Sequence, residues 1–163
     1  MKRALSLILV FSLLLSGCSF LGERIKDPVA FYYVCSNYQE DLCCVIVSEQ
    51  RESSGHIGDL SYLLALYSMG PISDEIVSPL PPDVQITAKR DNDHVYLELS
   101  NPEAPMSDID FSLACACLTL TCLDITGAQD VTIRHGERSK TLQRSDVTLY
   151  DVTAETIPTE ESK

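Results

Sequence analysis

Val84-Gln-Ile-Thr-Ala-Lys-Arg-Asp-Asn-Asp-His-Val-Tyr-Leu-Glu-Leu99 is the stretch on which the fold reading turns. Val84, Ile86 and Ala88 alternate with Gln85, Thr87 and Lys89. Val95, Leu97 and Leu99 alternate with Tyr96 and Glu98. Successive side chains on a strand point to opposite faces, so each half has one apolar and one polar face. Asp91-Asn92-Asp93 between them is turn chemistry, because Asn and Asp bond their own backbone and tolerate left-handed conformations. The stretch reads as an antiparallel hairpin with one buried face.

That apolar face needs a cover, and the flanking sequence supplies one on each side. Upstream, Ile72 to Asp83 holds Pro79, Pro81 and Pro82 and reads as a loop. Before it, Asp59 can cap a helix in which Leu60, Leu63, Leu64 and Tyr67 recur at i, i+3, i+4 and i+7, with Gly70-Pro71 as its stop. Earlier still, Val29–Cys35 and Leu42–Val47 read as a strand pair around the turn cluster Ser36–Asp41. Downstream, Ser107 and Asp110 have capping-box spacing, and a helix is expected to about Leu123. Val131 and Ile133 mark a further strand, with His135-Gly136-Glu137 as its turn. The order ββ-α-ββ-α-β implies an α+β fold, two helices packed on one face of a small, mainly antiparallel sheet. Leu63, Leu64, Ile86, Val95, Leu97, Leu113, Leu120 and Ile133 are the expected core.

The second helix carries an unusual pattern. At about 100° per residue, Ile109, Leu113, Ala116, Cys117, Leu120 and Leu123 share one face, read as the core face. Phe111, Cys115, Leu118 and Cys122 form a second, narrower stripe on roughly the opposite side. A helix apolar nearly all round is covered on both sides. Either another element such as the N-terminal hairpin or the tail covers the second stripe, or it is a partner-binding surface.

At the N-terminus, Met1-Lys2-Arg3 is followed by an apolar run from Ala4 to Leu15. About twelve residues are too few to span a bilayer, which takes about twenty, so the run reads as the core of a signal peptide. Leu15-Ser16-Gly17-Cys18 resembles the bacterial lipobox. Cleavage before Cys18 and acylation of its thiol would anchor the chain on the extracytoplasmic side of a membrane, stably if two acyl chains are added. The expected organisation is a signal peptide over 1–17, the lipidated Cys18 and a tether over 18–28, one domain over 29–152, and a polar tail over 153–163. The formal charge is −12, and loss of Lys2 and Arg3 takes the mature chain to about −14. Without a basic patch, nucleic acid is not an expected partner.

Motifs with catalytic meaning are missing: no GxSxG, HExxH, Walker or dinucleotide-binding pattern occurs. His56, His94 and His135 fall at turns or strand edges and are expected to be exposed. Asp91-Asn92-Asp93 begins like a calcium loop, but Tyr96 and Pro102 stand where a glycine and the closing glutamate belong. Neither a metal nor another cofactor is expected. Besides Cys18 there are Cys35, Cys43, Cys44, Cys115, Cys117 and Cys122. Three readings stay open for these six: apolar packing, a disulfide framework, and a metal or redox role.

Four stretches resemble the GerM domain of sporulation and germination lipoproteins. Leu63-Leu-Ala-Leu-Tyr-Ser-Met-Gly-Pro71 is similar to that family's leucine-rich helix ending in Gly-Pro. Val77-Ser-Pro-Leu-Pro81 with Val84 resembles its loop into a strand, and Val95-Tyr-Leu-Glu-Leu-Ser100 its second hairpin strand. Leu118-Thr-Leu-Thr121, then Gly127 to Gly136, resembles its last helix, turn and strand. The likeness covers about Val29 to Leu142. It departs at Thr126-Gly127, where the family often has Pro-Gly, and at His135-Gly136-Glu137, where it often has Asp-Gly-Lys. The resemblance implies a non-enzymatic module similar to ring-building domains, with a protein partner or self-assembly. The alternative from another class is a small-ligand-binding envelope lipoprotein.

Overall fold

The computed structural model describes residues 25–36 and 45–147. The signal peptide, Cys18, most of the tether, Cys43, Cys44 and the tail lie outside the described residues. Within them the order is β1 (Pro28–Cys35), β2 (Ile46–Glu52), α1 (Leu60–Ser68), β3 (Ile76–Val77), β4 (Ile86–Asp91), β5 (His94–Leu99), α2 (Asp108–Thr126), β6 (Asp130–His135) and β7 (Arg138–Gln143), with a closing 3-10 turn at Arg144–Asp146. The class is α+β, but the strands form two sheets: β2-β1-β3 and β4-β5-β6-β7.

The second sheet follows its alternation. β4 and β5 pair antiparallel from Ile86 opposite Leu99 to Asp91 opposite His94, around Asn92 with φ 53°. β6 lies parallel to β5, with Leu97 opposite Ile133. A parallel neighbour needs a crossover rather than a turn, and α2 is that crossover. β7 extends the sheet beyond the expected last strand, through a turn at Gly136 with φ 62°. Val95, Leu97, Leu99, Val131 and Ile133 are buried on one face.

The first sheet departs further from the sequence reading. β2 was expected over Leu42–Val47, yet the described strand runs from Ile46 to Glu52, with Pro28 opposite Glu52 and Val34 opposite Ile46. Pairing with β1 holds this polar segment extended through its backbone, so hydrophobicity was a poor guide to it. β3 is a two-residue strand inside the proline-rich loop and pairs only with the Val34–Cys35 end of β1.

Both helices start as their caps dictate. The Asp59 side chain accepts from Tyr62 N–H, and Ser107 with Asp110 closes the capping box of α2. α2 ends on Gly127 in the left-handed conformation. Of the expected core residues, Leu63, Leu64, Val95, Leu97, Leu120 and Ile133 are buried. Ile86 and Leu113 are only partly so.

The packing of α2 extends one expectation and corrects another. Both helices contact the four-stranded sheet, α1 at β4 and α2 at β6 and β7, and α2 also packs against β1 of the other sheet. Phe111, Cys115, Leu118 and Cys122 are all buried, so that stripe is not a free partner surface. Phe111 stacks on His135 of β6 beneath the Arg138 guanidinium of β7. The face read as core is covered only over its C-terminal half: Cys117, Leu120 and Leu123 are buried, whereas Ile109 is exposed and Leu113 and Ala116 are partly so. Periodicity shows that two apolar stripes exist. It does not say which neighbour takes which.

Candidate interaction surface

The outer face of the four-stranded sheet is polar and ordered. Strand register sets its side chains in three rows: Asp91, His94, Asp130 and Gln143; then Lys89, Tyr96, Thr132 and Thr141; then Thr87, Glu98, Arg134 and Ser139. Each alternates with a residue directed to the helices. Tyr96 is the large exposed ring of this face.

A chain of contacts runs across the rows. The His94 Nδ1 meets Asp130 Oδ1, and His94 Nε2 lies 3.0 Å from Thr132 Oγ1. Thr132 Oγ1 is 2.7 Å from Thr141 Oγ1. With Nδ1–H toward the carboxylate, Nε2 is left to accept the Thr132 proton, and Thr132 in turn accepts from Thr141. The His94 ring leans on Tyr96 at 4.1 Å between centroids and 52°. Carboxylate, imidazole and hydroxyl stand in the order of a proton relay to a nucleophile. Yet Thr132 sits mid-strand, and the amides around it belong to the pairing with β5 and β7. They are not free to converge on an oxyanion. The chain works as a tie across β5, β6 and β7 that fixes the ring of Tyr96. Beside it, Lys89, Tyr96, Glu98, Thr132 and Arg134 line a shallow depression of about 250 Å³. Arg134 is 3.7 Å from Glu98 and donates to Gly136 O, and both charges of the pair are more than half exposed. Such a pair adds little stability but leaves a guanidinium available.

His94 was expected at an exposed strand edge; the structure partly covers it and joins it to Asp130. The two are far apart in sequence and meet only through the parallel register of β5 and β6, so no local pattern marks them. His135 corrects the same expectation more strongly. It is buried, with Nε2 donating to Asn101 O at 3.0 Å and Nδ1 accepting from Arg138 at 2.9 Å. His56 is exposed, stacked on Tyr62.

Cys35, Cys115, Cys117 and Cys122 are free thiols. Burial pushes the Cys115 thiol up to about 11, against the opposing pull of Lys140 and Arg138. It pushes Cys122 up to about 12 and raises Cys117 as well. Thiols held protonated are poor nucleophiles and ligands, so these three serve as small apolar core groups. Among the described residues no group of three His, Cys, Asp or Glu side chains is placed to hold a metal.

No family model matches the chain, and no curated protein matches it. Among solved structures it is similar to the tandem GerMN domains of the sporulation protein GerM from Bacillus subtilis, at 18% identity and a TM-score of 0.48. The match covers 74% of this chain and 43% of that one, so it spans less than half the length of that solved chain.

Proposed function

We propose that the protein is a lipid-anchored, non-enzymatic interaction module of the cell envelope, held at the extracytoplasmic membrane surface through Cys18. The observation that carries this reading is the outer sheet face. A tyrosine ring and a guanidinium stand exposed on a rigid four-stranded platform, and their surroundings are locked by a hydrogen-bonded chain. Tyr and Arg dominate the energetics of protein contacts because they bring large, directional surface at low entropic cost. The motif order from Leu63 to Gly136 supports a role similar to that of GerM-type lipoproteins in sporulation and germination. Its partner is then a protein of the same compartment or another copy of the chain.

The test is an affinity pull-down of the intact lipoprotein from sporulating cells, alongside Tyr96→Ala/Arg134→Ala. The double variant is expected to fold and reach the membrane but to lose the partner. Recovery of the same partners at wild-type level would refute this face as the contact. The anchor is tested separately by Cys18→Ala, which is expected to leave the membrane fraction.

A further inference from the structure

A second surface lies where the chain enters the domain. Ile25, Lys26, Gln50, Arg51, Glu52, Ser54, Leu66 and Ile72 surround one open groove of about 550 Å³. Its apolar lining is directed into solvent: Ile25 is 43% exposed and Ile72 74%, and Met69, next in the chain to the Gly70 that Arg51 holds, is 79% exposed. Single exposed apolar side chains are ordinary, but two on one groove with a third close by in the chain form a patch.

The loop bearing Ile72 is held in place. Ile72 N–H donates to both carboxylate oxygens of Glu49, at 3.0 and 3.2 Å, and Ser73 N–H donates to Oε1 at 3.0 Å. From the same strand, Arg51 Nη1 donates to Gly70 O at 2.9 Å and to Leu66 O at 3.4 Å. Arg51 also lies over the Phe31 ring, 5.5 Å from its centroid. Two β2 side chains thus fix residues 70–73 against the sheet, with the Ile72 side chain left outside. An apolar tip held rigid in water pays no ordering entropy when it is later covered.

The chain outside the described residues indicates the cover. Cys18 stands seven positions before Ile25. Seven residues reach at most about 25 Å when extended and span roughly 15 Å as a flexible coil. An acyl anchor at Cys18 therefore keeps the Ile25 end of the domain within about 25 Å of the headgroup layer, close enough to touch it. The Val34 end of β1, where Val34, Asp110 and Leu113 meet, lies about 20 Å from Pro28 along the strand at ~3.3 Å per residue. The chain is acidic overall, which disfavours strongly anionic lipid and favours a contact made by apolar side chains on a zwitterionic surface.

We infer that Ile25, Met69 and Ile72 form a membrane-contact rim that seats the domain on the bilayer interface in one orientation. This rests on the lipid-anchor reading above. It would direct the outer face of the four-stranded sheet consistently relative to the membrane.

The protein contains no tryptophan, so one introduced indole reports its surroundings without background. Full-length lipidated Ile72→Trp and Ile109→Trp are each reconstituted into phosphatidylcholine vesicles; Ile109 is 68% exposed beside Asp110, which lies at the Val34 end of β1. The expected result is a blue-shifted Ile72→Trp emission that brominated acyl chains quench, with Ile109→Trp unshifted and unquenched. Equal behaviour of the two positions would overturn the rim. If the wild-type lipoprotein co-sediments with vesicles while Ile72→Trp stays solvent-like, the rim is wrong and the anchor stands. If the lipoprotein fails to co-sediment, the anchor falls and takes the rim with it. A blue shift that appears without vesicles and grows with protein concentration would assign the patch to a second copy and overturn the membrane contact.

Discussion

α2 meets its two neighbours in different ways. Toward the four-stranded sheet the seam is apolar, with Phe111, Ala114, Cys115, Leu118 and Cys122 in one cluster with Val131 and Ile133. Toward β1, whose Val29, Phe31 and Tyr33 belong to the same cluster, polar ties are added. β3 covers only one end of that strand's second edge, and the open part is closed by side chains. Thr121 Oγ1 accepts from Tyr32 N–H at 3.0 Å, and Tyr67 donates its hydroxyl to Tyr32 O at 3.0 Å. The Tyr32 hydroxyl donates to Asp124 at 2.8 Å, and Arg144 holds the other oxygen of that carboxylate. Burial, then the bond to Asp124, raises the Tyr32 pKa and keeps this donor protonated. Around the corner, the Tyr67 ring stacks on Tyr33 at 4.7 Å and meets Phe31 edge-on at 5.8 Å. The first seam excludes water with hydrocarbon. The second must also satisfy an exposed backbone edge before it can be buried.

That contrast gives an order of sensitivities around one helix. Leu118→Glu places an unpaired carboxylate in the apolar seam, where Leu118 is fully buried. It should cost more than about 4 kcal/mol and abolish the cooperative urea transition. A folded variant of near wild-type stability would mean the stripe is not core. Thr121→Val keeps the shape of the second seam but strands the Tyr32 N–H. A loss of about 1–3 kcal/mol is expected, with faster hydrogen exchange at the Tyr32 amide specifically. Unchanged exchange there would show that the β1 edge is satisfied in another way. Ile109→Glu sits on the side that neither sheet covers, in a first turn where the helix dipole favours an acid. Its midpoint should stay within about 0.5 kcal/mol of wild type; a larger loss would reveal a third neighbour of α2.

The two sheets were unequally legible for the same reason. In β4, β5 and β6 each strand carries its own alternation, and Asp91-Asn92-Asp93 pins one register locally. β2 has no such pattern: Ser48-Glu-Gln-Arg-Glu52 is polar, and only β1 beside it makes it a strand. The interaction surface followed suit. Tyr96 and Glu98 were readable as outward residues of an alternating strand. The tie from His94 to Asp130, and on to Thr132 and Thr141, was not, because it depends on which strands lie side by side.

Several features were settled by local sequence alone. They include the caps at Asp59 and Ser107, the stop at Gly70, the hairpin from Ile86 to Leu99, and two apolar stripes on one helix. Each follows from backbone sterics or from a period of two or 3.6 residues, which act within a few positions of the chain. Tertiary structure decided the rest: the division into two sheets, the parallel β5–β6 pair, the burial of His135 and the assignment of each stripe to its cover. Those outcomes depend on which surfaces and unpaired backbone groups become neighbours, and the chain brings such neighbours together only when the whole domain closes.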